Sequence, residues 1–159
     1  MELLLKILEN NARLPVEDIA AMLDKTPVEV AALIDKARAE GYIRGYRALV
    51  DWERAGVNCV EAVIELRVSP RKNRGFEEIA TTIAAFDEVE SVSLMSGGYD
   101  LLLVMRGKTF QEIALFVGKR LSPLDDVLST ATHFVLRTYK KDGHLYLDEE
   151  VDERECTIL

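Results

Sequence analysis

The chain has 159 residues, with 28 acidic and 20 basic side chains and a formal net charge of −8. Hydrophobic residues make up 48% and charged residues 30%, which supplies a core and a wet surface and excludes a disordered or low-complexity chain. No apolar run approaches the ~20 residues of a membrane span, and the start MELLLKILENN mixes Glu2, Lys6 and Glu9 into its apolar patch without a small-residue cleavage site.

In chain order, Leu3, Leu4, Ile7 and Leu8 recur at helical spacing, and Asn10-Asn11 ends that helix. Pro15 opens a second helix with Ile19, Ala20 and Leu23 on its apolar side. Asp24-Lys25-Thr26 is a short turn. Thr26-Pro27-Val28-Glu29 reads as a capping box with proline at the first helical position. The third helix carries Val30, Leu33, Ile34 and Ala37, an i, i+3, i+4, i+7 stripe, and Gly41 sits where a helix end favours a left-handed residue. Residues 42–50 alternate and contain Gly45, as a small β-ribbon would. These proportions suit a helix-turn-helix, although a generic three-helix bundle has the same periodicity.

After a linker over residues 51–57, Cys59 opens a β-prone run to Val68, with its thiol expected to be buried, and Ser69-Pro70 breaks it. Phe76, Ile79, Ala80, Ile83 and Phe86 predict an amphipathic helix. Residues 89–96 form the next strand, turning at Gly97-Gly98 into Tyr99-Asp100 and the apolar 101–105. Thr109 can cap a helix through Phe110, Ile113, Ala114, Phe116 and Val117, and a last strand runs from about Val127 to Tyr139. The order β-α-β-β-α-β is the ferredoxin-like split unit: α+β, with helices on one sheet face. The other face, expected to be rich in Val, Leu and Thr, predicts a homodimer through sheet packing.

The charge is unevenly placed. Residues 1–50 hold seven basic against eight acidic residues, a net of −1, while residues 142–159 hold seven acids against Arg154, a net of −6. Net charge alone would argue against nucleic acid, yet most of it belongs to an acidic C-terminal extension. Arg71, Lys72 and Arg74 form a basic loop in the second half. Cys59 and Cys156 have neither disulfide-framework nor metal-site spacing, so no metal is expected and a cytoplasmic protein is the default.

Several short motifs carry a resemblance. They are Lys6-Ile7-Leu8, Arg13, Ile19-Ala20, the run Glu40-Gly41-Tyr42-Ile43-Arg44-Gly45-Tyr46, and the run Ser96-Gly97-Gly98-Tyr99-Asp100 followed by leucines. Thr130, Thr132 and Leu136 lie on the last strand. In this order the chain resembles the leucine-responsive/asparagine-regulator (Lrp/AsnC) family of transcription regulators, from about residue 3 to residue 141. The resemblance implies a winged helix-turn-helix over 1–50 that binds double-stranded DNA. It also implies a ferredoxin-like domain over 58–141 that senses a small effector, typically an amino acid, and assembles as a dimer, with tetramers or octamers beyond it. The expected effector residues are Ser96, Gly97, Gly98, Tyr99, Asp100, Thr130 and Thr132, with Asp100 equally readable as a turn-stabilising residue.

The third helix departs from the family pattern, with Leu33 where an arginine is usual and Asp35 where a basic residue is common. The residues expected to meet DNA are Lys25, Thr26, Lys36, Arg38, Arg44 and Arg47. A sensor or co-assembling partner of the same fold that does not bind DNA is the alternative. Some siroheme decarboxylases share the architecture, but His133 and His144 are the only histidines, and no nucleophile–base pair or phosphate loop is present. The expectation is therefore a non-enzyme without catalytic residues or cofactor.

Overall fold

The computed structural model describes residues 1–69 and 75–147, so the basic loop at Arg71, Lys72 and Arg74, Cys156 and the end of the acidic extension lie outside the described residues. The chain forms two compact units, Met1–Val50 and Asp51–Leu159.

In the first unit, α1 (Glu2–Asn10) buries Leu4 and Leu8, α2 (Val16–Leu23) buries Ile19 and Ala20, and α3 (Pro27–Ala39) buries Val30 and Ala37. Pro15 stands just before α2 as its N-cap rather than inside its first turn. The helical stripes meet in one cluster, against which Ile7, Leu14, Leu23, Leu33, Ile34 and Ile43 pack. Between α2 and α3, Asp24 takes the left-handed conformation, and the Lys25 N–H donates to the Ala20 carbonyl at 3.0 Å. The capping box is complete. The Glu29 N–H donates to Thr26 Oγ1 at 3.3 Å, and the Thr26 N–H donates to Glu29 Oε2 at 2.8 Å. At the other end of α3, Gly41 has φ 75° and the Tyr42 N–H reaches back to the Ala37 carbonyl at 2.9 Å, a Schellman closure that a β-carbon would strain.

The β-ribbon expected over residues 42–50 is not formed, since these residues carry no strand. Strand character depends on a paired ladder, and alternation alone does not supply the partner.

The second unit opens with a turn over 51–57, where Asp51 Oδ1 accepts from the Arg54 N–H at 3.0 Å. It continues as β1 (Val60–Val68), α4 (Glu77–Ala84), β2 (Val89–Leu94), β3 (Leu101–Gly107), α5 (Phe110–Phe116) and β4 (Val127–Phe134). A π-helical turn, Val117–Leu121, extends α5. The four strands pair antiparallel in the order β2-β3-β1-β4, the split βαββαβ arrangement. Three expected strand ends move inward: β1 starts at Val60, β2 ends at Leu94 and β4 ends at Phe134. Phe134 pairs with Ala62, and one further bond, from the Val135 N–H to the Glu61 carbonyl at 2.9 Å, carries the chain beyond it. Cys59 lies before β1 and is exposed, contrary to the buried thiol expected.

One sheet face is the core. Ala62, Ile64, Leu66, Leu101, Leu103 and Met105 pack under Ile79 and Ile83 of α4 and Ile113 and Phe116 of α5. Residues alternate between faces along a strand, so cross-strand pairs identify the opposite face. Glu61 pairs Arg106, Val63 pairs Val104 and His133, Glu65 pairs Leu102 and Ala131, and Arg67 pairs Ser129. This face is therefore mixed, with charged and apolar residues, and not simply rich in Val, Leu and Thr. Thr130 and Thr132 pair with Leu66 and Ile64, which puts them on the helix-covered side.

After β4, β5 (Lys140–Lys141) and β6 (His144–Leu145) form a hairpin over Asp142-Gly143, both with positive φ (46° and 84°) as a two-residue turn of this kind requires.

Candidate functional site

The turn entering β3 is tied to the end of β1 by two side chains. Asp100 Oδ2 accepts from the Val68 N–H at 2.9 Å, while Arg67 Nε donates to the Gly98 carbonyl at 2.9 Å. The Asp100 main chain completes the junction, its N–H donating to Leu66 and its carbonyl accepting from Met95, at 2.9 and 2.8 Å. Of the glycine pair, only Gly97 has positive φ, and at 159° it is close to extended.

Beside this turn, on the uncovered sheet face, lies a pocket of about 280 Å³ lined by Glu65, Arg67, Gly98, Tyr99, Ser129, Thr130 and Ala131. Three of the sequence-predicted effector residues, Gly98, Tyr99 and Thr130, are brought together here. Ser96, Gly97, Asp100 and Thr132 are not part of the lining, and the Asp100 carboxylate is turned to the Val68 backbone. Thr130 contributes from a position whose side chain the register assigns to the helix side.

Glu65 and Arg67 were not singled out from sequence. The legible signal was acidic and basic residues at alternate positions 61, 65 and 67 of an otherwise apolar strand, which places them on one face. His133 Nε2 approaches Glu65 Oε1 at 3.4 Å from the neighbouring strand. The second histidine, His144, is exposed in the hairpin turn, with Nδ1 2.9 Å from the Asp142 carbonyl.

Farther along the same face, Glu61 Oε2 accepts from Arg106 Nη2 at 2.9 Å and from Lys141 Nζ at 2.6 Å, and Arg106 Nη1 also meets Glu90 at 3.1 Å. Burial pushes the Glu61 carboxyl up, but the hydrogen bonds from Lys141 and Arg106 outweigh it and hold the group below the usual carboxylate range. Lys141 thereby fastens the C-terminal hairpin to β1.

On α3 of the first unit, Lys36 and Arg38 are exposed, as are Lys25, Thr26, Arg44 and Arg47. Lys36 faces Glu40 at 3.8 Å one turn on. Leu33, where the family pattern has an arginine, packs against the helical core and does not look outward; Asp35 is exposed. Both Thr26 donors, N–H and hydroxyl, are engaged by Glu29 Oε2 at 2.8 Å, and these bonds lower the Glu29 carboxyl from its ordinary value. The N-terminus of α3 thus already carries its own anion.

No helix among the described residues is long and apolar enough to cross a membrane. The family model for the Lrp/AsnC ligand-binding domain matches residues 61–145, which span the four-stranded sheet, its helices and the hairpin. An HTH-type transcriptional regulator of Bacillus subtilis (strain 168), YugG, is 44% identical over 152 residues, covering 95% of this chain and 92% of that protein. A proline dehydrogenase transcriptional activator of Rhizobium radiobacter is 29% identical, covering 88% and 89%. Among solved structures, E. coli AsnC matches with a TM-score of 0.67 at 20% identity, covering 87% of this chain and 91% of that one. A transcriptional regulator of Neisseria meningitidis in complex with L-methionine matches with a TM-score of 0.70 at 23% identity, covering 90% of each. The helical head, the βαββαβ sheet and these likenesses lead to one conclusion: the chain belongs to the Lrp/AsnC family of transcription regulators.

Proposed function

We propose that the protein is a cytoplasmic, DNA-binding transcription regulator whose homo-oligomer responds to a small effector of the amino-acid class. The observation that carries this reading is the union, in one chain, of a capped three-helix unit with a family-matching sensing domain that holds a pocket beside its Gly98-Tyr99 turn. The pocket, about 280 Å³, lies at the lower edge of the ~300–1,000 Å³ usual for small-molecule sites, which favours a compact ligand. The regulator solved with L-methionine supports the same class.

On the DNA side, Lys36 and Arg38 of α3 contact the duplex, and Lys25, Arg44 and Arg47 position the head on the phosphate backbone; Thr26 does not, because Glu29 engages both of its donors. Dimerisation uses the uncovered sheet face, and tetramers or octamers multiply heads whose individual contacts are weak. Fluorescence anisotropy at low salt, with the gene's own upstream region as probe and a scrambled duplex as control, tests DNA binding. Saturable binding tighter than to the control is expected; equal affinities for both would overturn it.

A second reading, a sensor or co-assembling partner that does not bind DNA, is favoured by the acidic side chains around α3. Glu29 engages both Thr26 donors, Glu40 faces Lys36, and Asp35 is exposed. The same titration separates the two.

A further inference from the structure

We propose that the outer line of α3 reads bases in the major groove, Val28 and Ala32 by packing on thymine methyl groups and Asp35 by accepting from the exocyclic amino group of a cytosine. The inference rests on the reading of α3 as the DNA-contacting helix and adds the bases that it selects. Val30, Leu33, Ile34 and Ala37 turn inward to the helical core. At 3.6 residues per turn, the positions opposite that stripe are Val28, Ala32, Asp35 and Ala39. All four are exposed, and Val28 leaves 80% of its surface in water. α3 follows α2 across a short turn, and in such a pair the second helix enters the groove with its N-terminal residues at the base edges.

The side chains that most often read bases by hydrogen bond are absent from this line or already engaged. α3 contains no Asn or Gln, and its one arginine, Arg38, lies to the flank. Glu29 Oε2 is taken by both Thr26 donors at 2.8 Å, and Lys36 is turned to Glu40 at 3.8 Å. What the line offers a duplex is therefore two apolar surfaces and one carboxylate. Asp35 has no hydrogen bond or ion pair among the described residues.

Each of these has one matching group in the groove. The C5 methyl of thymine is the apolar surface there, and it suits Val28 and Ala32. Cytosine presents its amino donor without an adjoining acceptor on the same base, whereas the adenine amino group sits beside N7, which repels a carboxylate. With a rise of 1.5 Å per residue, Asp35 stands about 10.5 Å along α3 from Val28, roughly three steps of a duplex rising 3.4 Å per base pair. Asp35 thus works by exclusion: opposite an acceptor its charge is repelled, and opposite cytosine it is paired. Lys36 and Arg38, on either flank, offset its charge toward the phosphates.

Selection from a randomised duplex library by the full-length protein, followed by fluorescence anisotropy on the selected duplex, tests this. Each half-site is expected to carry thymine and, about three base pairs away, cytosine. Uracil in place of that thymine removes the methyl group alone and should weaken the wild type roughly three- to tenfold. Val28→Ala should shrink that loss. Asp35→Asn, whose amide pairs with the adenine N6 and N7 edge, should move the preference from cytosine to adenine by roughly five- to 100-fold. Both substituted positions are exposed, circular dichroism checks the fold of each variant, and the uracil comparison uses the wild type. If the wild type binds no duplex, the DNA-binding reading fails and the base reading with it. If it binds, but uracil leaves the affinity unchanged or Asp35→Asn keeps the wild-type preference, the base reading is overturned while DNA binding stands.

Discussion

The Asp100 carboxylate accepts the Val68 main-chain N–H at 2.9 Å, joining the entrance of β3 to the last residue of β1 across 32 positions of sequence. Register alone does not provide this bond, because the ladder between β1 and β3 ends at the Leu66–Leu101 pair and the β1–β4 ladder shifts between Arg67 and Val68. Asp100 therefore supplies by side chain what the sheet withdraws at an irregularity.

Replacing Asp100 by alanine leaves the Val68 N–H without its acceptor in a partly buried setting and should cost about 1–3 kcal/mol of stability, measured by urea denaturation. Asp100→Asn keeps an acceptor oxygen and should cost less than half as much. Equal losses for the two variants would show that the charge, and not the hydrogen bond, holds the turn.

The Glu61 cluster predicts an acid-sensitive C-terminal hairpin. Its carboxyl is held below the usual range in the folded protein, so its contribution is present above the unfolded value of ~4.3 and is lost as pH falls through the lower folded value. Glu61→Gln should flatten the stability profile in that acidic window and cost about 1–2 kcal/mol at neutral pH, because Lys141 loses its carboxylate while Arg106 retains Glu90. Denaturation midpoints from pH 3 to 7 check it. A profile unchanged in slope would refute the assignment.

Thr26→Ala removes the side-chain half of the capping box at α3 and should destabilise that helix by about 1 kcal/mol. Hydrogen exchange at the first turn of α3 is the direct readout: protection of the Glu29 and Val30 amides should fall several-fold.

If α3 meets the phosphate backbone, Lys36→Ala and Arg38→Ala should each weaken DNA binding regardless of sequence and reduce the salt slope by about one. Because Lys36 faces Glu40 at 3.8 Å, Glu40→Gln should strengthen binding by releasing that charge. A salt slope unchanged in both alanine variants would remove α3 from the interface.

Local chemistry was legible without coordinates wherever the determining residues are three or four apart. The Thr26–Glu29 box, the glycine that closes α3, the Thr109 cap of α5 and the helical stripes are all contacts within one or two turns, which a one-dimensional pattern encodes. Element order follows from the same signals, and order was enough for the βαββαβ class. The alternating residues 42–50 show the limit: period-two patterning states a preference for strand, whereas a strand exists only with a partner.

Tertiary structure alone decided which residues share a site. Thr132 reads from sequence as a neighbour of the Gly97-Gly98 turn, yet its pairing with Ile64 assigns it to the helix side, while Thr130 does reach the pocket lining. Leu33 reads from sequence both as a member of the apolar stripe of α3 and as the residue in place of an arginine, and the fold packs it against the helical core. Glu65, Arg67, Ser129 and Ala131 are separated by some sixty residues and become one pocket only through the register of β1 against β4, where a slip of a single residue would turn each of them to the opposite face. Sequence by itself determined the three helices of the head, the βαββαβ order and the family, because these rest on local or ordered patterns. The pocket rests on pairing between distant strands, and only the folded sheet sets that register.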